Sequence, residues 1–226
     1  MKTRNNQGFT LIELLVVITI IALIAGMAVP TYQTIQDRAN IIAGSNNCRQ
    51  IIAALKLFAS DNGGLYPDSA SKDEQPETSN DAFKMLIKAE IIPDEKIFGC
   101  QGSKFRPDNN VGEPEEYEEA LEAGENHWAM TKDCSDSSAG NHPVVFENPA
   151  NAAWPPTWNC DLAGQPKQGR AWRGGKIIIG TNDGSVEAVQ LASKKGSAVA
   201  PKDLGGAGKN IFTQVSEEGE ILDIQP

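Results

Sequence analysis

Residues 8–30 read GFTLIELLVVITIIALIAGMAVP, and this stretch decides the fold. Glu13 is its only charged residue, and from Leu14 to Val29 the chain is Ile, Leu, Val and Ala with Thr19, Gly26 and Met27. As a helix, Phe9–Val29 would run about 30 Å, the hydrocarbon thickness of a bilayer. It would be apolar on every face, which suits lipid or a bundle of like helices better than a half-wet surface. A carboxylate in such a run costs about 2.5–3.5 kcal/mol near the bilayer centre, so Glu13 calls for a cationic partner. The span contains no Lys or Arg, and the preceding MKTRNNQG is short, polar and basic. A free α-amine at Phe9 would serve if the chain were cut after Gly8.

Beyond Pro30 the pattern changes. Ile35, Ile42, Ile52, Leu55 and Phe58 recur at roughly helical spacing between polar residues, which predicts an amphipathic continuation. Gly44 weakens it locally, and Asp61-Asn62-Gly63-Gly64 is a firm stop. One helix over 9–60 is therefore expected, apolar throughout over 9–29 and one-sided afterwards. Residues 1–8 form a basic leader and 61–226 a head domain.

The head is rich in turn residues and poor in aromatics. A loop over 65–80 should lead into a short helix, Ala82–Glu90, capped by Ser79, Asn80 or Asp81. Glu115–Glu122 has helical propensity. Strands are expected at His127–Thr131 and Val144–Glu147, with a hairpin, KIIIGT and SVEAVQL, around Asn182-Asp183-Gly184. Ile211–Val215 and Glu220–Ile224 read as a last strand pair. The expected class is α+β: a long N-terminal helix packed by its second half on a small, loop-rich, mostly antiparallel sheet.

GFTLIELLVVI resembles the N-terminal signature of type IV pilins and the pseudopilins of type II secretion systems. The resemblance covers only the first quarter of the chain. It implies cleavage between Gly8 and Phe9 by a prepilin peptidase, N-methylation of Phe9, a pairing role in assembly for Glu13, and a helix-bending role for Pro30. It also implies other pilin or pseudopilin subunits, an inner-membrane assembly platform and the lipid bilayer as partners. Lys2 and Arg4 place the N-terminus in the cytoplasm and the head beyond the inner membrane. An ordinary signal peptide cut after Ala28 competes with this reading, but Glu13 and the length of the apolar run oppose it.

The net charge of −10 argues against nucleic acid as a partner. The cysteines Cys48, Cys100, Cys134 and Cys160 form no C-x-x-C pair. Beyond the membrane they could form disulfides. Three pairings exist. Cys134–Cys160 closes a short loop and Cys48–Cys100 would pin the helix to the head, while buried free thiols are the plain alternative. His127 and His142 have no zinc-ligand spacing. Asp183 and Glu187, beside Asn182 and Ser185, are the candidates for calcium, without EF-hand spacing, and a simple turn is the competing reading. No other cofactor is expected. Nor is catalysis, since no nucleophile motif or phosphate loop is present. Trp128, Trp154, Trp158 and Trp172 raise a second reading, an anchored surface- or carbohydrate-binding protein, against their use as core.

Overall fold

The computed structural model describes residues 9–70, 75–114, 116–206, 208–216 and 218–226, with the side chains of residues 28–31 left out. Helix α1 is Leu11–Asp61. It stops where the sequence demands. Asn62 and Gly64 donate back to the Ala59 carbonyl at 3.1 and 2.7 Å, and Gly63 and Gly64 take positive φ, the left-handed exit that glycine permits. By contacts the chain divides between Arg38 and Ala39.

In the first unit the apolar side chains are uncovered. Leu11 is 81% exposed, Ile21 60% and Met27 65%. An 18-residue window of α1 has mean hydropathy 2.7 and none of it is buried. Length and composition suffice for a membrane crossing.

The second unit is an antiparallel five-stranded sheet in the order β4-β3-β2-β1-β5. The strands are β1 Trp128–Thr131, β2 Pro143–Glu147, β3 Lys176–Thr181, β4 Val186–Gln190 and β5 Ile221–Leu222. β3 runs KIIIGT because both its faces are covered, so Ile177, Ile178 and Ile179 are all buried. Ile178 joins Met130 and Val145 against Cys48, Ile51, Ile52, Leu55 and Phe58 of α1. Ile177 and Ile179 join Phe146 in a second core with Trp158, Leu191 and Phe212.

Two glycines let α1 approach the sheet. A Cβ on Gly180 would stand 2.3 Å from Ile52 Cδ1 and 2.8 Å from Cys48 Sγ, and one on Gly44 would stand 2.8 Å from Ile178 Cδ1. Gly44 is thus a packing device inside the helix and does not interrupt it.

Two short helices complete the head, α2 Pro67–Ala70 and α3 Ser79–Lys88. The cap of α3 is Thr78, one residue before the expected candidates Ser79, Asn80 and Asp81, and Asp81 closes a reciprocal box with it. Two expectations are corrected. The described part of the acidic run 115–122 is not helical, because Tyr117 and Leu121 sit at φ 47° and 50°. Ile211–Val215 forms turns, and β5 pairs with β1 instead. Phe212 is drawn into the second core.

Candidate functional site

Gly8 lies outside the described residues, as does the Pro30 side chain, although α1 runs on through position 30. Phe9 is 76% exposed. Thr10 precedes the first helical residue and binds Glu13 three ways. Its N–H and its hydroxyl donate to Glu13 Oε2 at 2.8 and 2.6 Å, and its Oγ1 accepts the Glu13 N–H at 3.3 Å. This is a capping box: the carboxylate and the hydroxyl satisfy amide donors that the first helical turn leaves open. The carboxylate also faces the positive end of the helix dipole. Glu13 therefore has a local partner within its own chain. The T-x-x-E pattern was in the sequence, but reading Glu13 only as a charge in an apolar run passes over it.

The rest of the site is the surface of α1 itself. Ile12, Leu14, Leu15, Val16, Val17, Ile18, Ile20, Leu23 and Ile24 are all exposed. Leaving such side chains in water forgoes about 1.5–3 kcal/mol each, so this surface requires lipid or other helices.

The head's polar residues form a braced interior. Glu147 is 1% exposed, and its Oε2 accepts from the Trp172 indole at 2.9 Å and the Ile178 N–H at 2.8 Å. His127 Nε2 lies 3.0 Å from Glu147 Oε1, and Nδ1 lies 2.9 Å from both Ser103 Oγ and Asn148 Nδ2. One assignment satisfies all of these: Nε2–H donates to the carboxylate and Nδ1 accepts. Burial holds the His127 pKa down, against the pull of Glu147, so the ring is neutral. These bonds tie the 96–107 loop to β1, β2 and β3.

Cys100, His127 and Glu147 bring ligand atoms within 4.8 Å of one another. They do not fit a metal. Both Glu147 oxygens and the histidine nitrogens are engaged, and the Arg170 cation stands 3.9 Å from Glu147 Oε1. Glu95, Asp108 and Glu125 form the other such group among the described residues. There the two glutamates brace backbone instead, Glu95 holding the Leu121 and Asn109 N–H groups and Glu125 those of Glu122 and Asp108.

The expected calcium ligands are otherwise employed. Asp183 Oδ1 accepts from the Thr181 hydroxyl at 2.7 Å and the Ser185 N–H at 2.9 Å, closing the hairpin turn, and Glu187 is an exposed β4 residue. The expected disulfides are absent and all four thiols are buried and free. Cys134 lies in the α1-side core and Cys160 in the other, across the sheet. Cys48 Sγ points at the Val145 carbonyl, 3.6 Å away, and Cys100 Sγ at that of Gln101, 3.8 Å away. Burial raises every one of these thiol pKa values, that of Cys134 to about 12, which makes them poor nucleophiles.

Trp128, Trp158 and Trp172 are 0–1% exposed. Trp154 is half-buried, its indole N–H on the Ser216 carbonyl at 3.2 Å and its ring edge-on to Phe212. The tryptophans are core, and they present no open aromatic platform.

An uncovered apolar helix with a capped acidic start, long enough to cross a membrane, followed by an antiparallel sheet, defines the class: an α+β head on a long N-terminal helix. Residues 3–29 match the prokaryotic N-terminal methylation motif. The chain is 36% identical over 69 residues to the type II secretion system core protein G of Pseudomonas aeruginosa, covering 30% of this chain and 48% of that one. It is 36% identical over 68 residues to a type IV major pilin of Myxococcus xanthus, covering 30% of each. It is 34% identical over 68 residues to a type IV wide pilus major component of Thermus thermophilus, covering 30% of this chain and 52% of that one. The matched stretch thus spans about half or less of each relative. No solved structure matches. The N-terminal segment is a prepilin-type methylation segment, on a chain whose relatives are pilins and a secretion pseudopilin.

Proposed function

We propose that this protein is a non-enzymatic, pilin-like structural subunit that assembles through α1 into a type IV pilus-like or type II secretion pseudopilus-like filament. The observation that carries the reading is the run of exposed apolar residues from Phe9 to Met27 within the segment that matches the methylation motif. Prepilin peptidase cuts between Gly8 and Phe9, and Phe9 is methylated. The subunit waits in the inner membrane with its head outside, then leaves lipid for a bundle of like helices.

Glu13 has work in both states. In the single chain Thr10 caps it. In the filament it faces the Phe9 amine of a neighbour, where an unpaired charge in an apolar core is costly, and that pairing sets the axial step. Support for the filament over a carbohydrate-binding head comes from the buried tryptophans. The test is cross-linking in cells through a cysteine introduced at an exposed helix position, such as Ile12→Cys or Ile20→Cys. Oxidation of either single variant should give a covalent dimer, and the double variant a ladder of multimers. Monomer alone at every helix position, with the protein present in the membrane, would sink the filament.

A further inference from the structure

The charges of the head are sorted by place. The chain carries a net charge of −10, yet one end of the β3–β4 pair is cationic. Lys176 opens β3 and pairs with Gln190, the last residue of β4. The Lys202 N–H donates to the Gln190 carbonyl at 2.8 Å. A Cβ on Gly175 would stand 3.3 Å from Lys194 Cα, so the 193–195 loop folds back onto the same end. Arg173, Lys176, Lys194, Lys195 and Lys202 are all exposed. Two acids stand nearby: Asp203 beside Lys202, and Asp161, whose Oδ1 accepts the Gly196 N–H at 2.9 Å. Among the described residues no acid lies within ion-pair distance of Lys176, Lys194, Lys195 or Lys202. Asp183 and Glu187 lie towards the hairpin turn, at the other end of the pair.

The opposite edge of the sheet is acidic. Glu113, Glu116, Glu118 and Glu122 are exposed. Asn80 of α3 donates to the Leu121 and Glu122 carbonyls at 2.9 and 3.0 Å. The Gly124 N–H donates to the Gln225 carbonyl at 2.9 Å, just past β5. Lys84 of α3 reaches the run only at the Glu118 carbonyl, which leaves the carboxylates in excess. β4 and β5 are the two edges of the sheet. Strands spaced by about 4.8 Å put those edges about 20 Å apart. Exposed charges are screened over about 8 Å at physiological salt, so the two patches do not neutralise each other within one chain.

We propose that the cationic end of the β3–β4 pair docks on the acidic 113–122 run of a second copy of this chain. Charge complementarity names the partner, and the placement of the patches at opposite edges gives the geometry. The two surfaces differ, so the contact is heterologous: it repeats head to tail along an array instead of closing a two-fold dimer. It rests on the filament reading, in which α1 brings heads side by side. Exposed ion pairs add little strength each. The contact therefore sets the order and orientation of the heads, while the apolar helices supply the adhesion.

Full-length chains carrying the exposed changes Ser197→Cys, Ala123→Cys or both are treated in cells with a flexible bismaleimide. The native thiols are buried and stay out of the reaction. The double variant should give a ladder of multimers and each single variant monomer alone, because the patch at 197 meets the run at 123 and never its own counterpart. Adding Lys194→Glu and Lys195→Glu should cut the ladder about tenfold by setting like charges face to face. Adding Glu116→Lys and Glu118→Lys to that chain should restore it. The helix cross-link through Ile12→Cys and Ile20→Cys runs alongside. If that ladder persists while the head variant stays monomeric, the head contact is overturned and the filament stands. If neither ladder forms, the filament fails and the head contact with it. A head ladder that ignores charge reversal, a dimer from Ser197→Cys alone, or a cross-link to a different protein in place of a second copy would also overturn the proposal.

Discussion

Glu13 joins a contact that the structure shows, the cap with Thr10, to a role that we propose, the pairing in assembly. Its Oε2 takes both donors of Thr10, so one carboxylate oxygen is already bonded before any neighbour arrives. Glu13→Ala should still be cleaved but should assemble poorly, read as loss of sheared filaments with processed protein retained in the membrane. Normal filament yield would remove Glu13 from the assembly step. Thr10→Ala should cost the start of α1 about 1 kcal/mol, a typical loss for an N-cap, seen as faster amide exchange over the first turn. At the head, Gly180→Val should destabilise by about 1–3 kcal/mol through overpacking, because its first carbon already meets Ile52 and Cys48. Chemical denaturation measures that directly. The glycine's importance is invisible in sequence, since the residues it must admit lie far away in the chain.

Among the elements, α1 was legible almost in full. Uninterrupted apolar residues, then a one-sided stripe, then Asp-Asn-Gly-Gly are all local signals, and the helix ends at Asp61 as they require. The hairpin was legible for the same reason: β3 and β4 pair across Asp183-Gly184. The misses share one physical cause. The acidic run has helical propensity, but Glu95 holds the Leu121 N–H from a distant loop, and tertiary bonding overrides propensity. Ile211–Val215 is apolar enough for a strand, but Phe212 is spent filling a core. The braced Glu147 and His127 could not be read at all, because no spacing along the chain announces a buried polar cluster. Leu55→Ala, on the face that α1 turns to the sheet, should cost about 2–5 kcal/mol, a clear drop in melting temperature. An unchanged melting temperature would mean that α1 does not dock on the sheet as described.

For the whole molecule, burial sets an unusual dependence on pH. Asp68, Glu95, Glu125 and Asp223 are all held above their ordinary range, burial being the first cause in each case. A carboxyl raised by folding stabilises most when protonated, so its contribution fades as pH climbs through the raised value. His127 runs the other way. Its lowered pKa gives a contribution complete above the usual 6.5 and lost as pH falls through the depressed value. The melting temperature should therefore hold or rise from neutral to mild acidity before it falls. A steady decline from pH 7 downward would show that the histidine outweighs the carboxyls.

If the proposed function holds, the chain is trimmed after Gly8 and works through the helix that trimming exposes. Intact-mass analysis of the protein from the membranes of its native host tests this most directly. The expected polypeptide begins at Phe9 and carries one N-terminal methyl group. A mature chain that begins at Met1, or at Val29 after an ordinary signal cut, would contradict it.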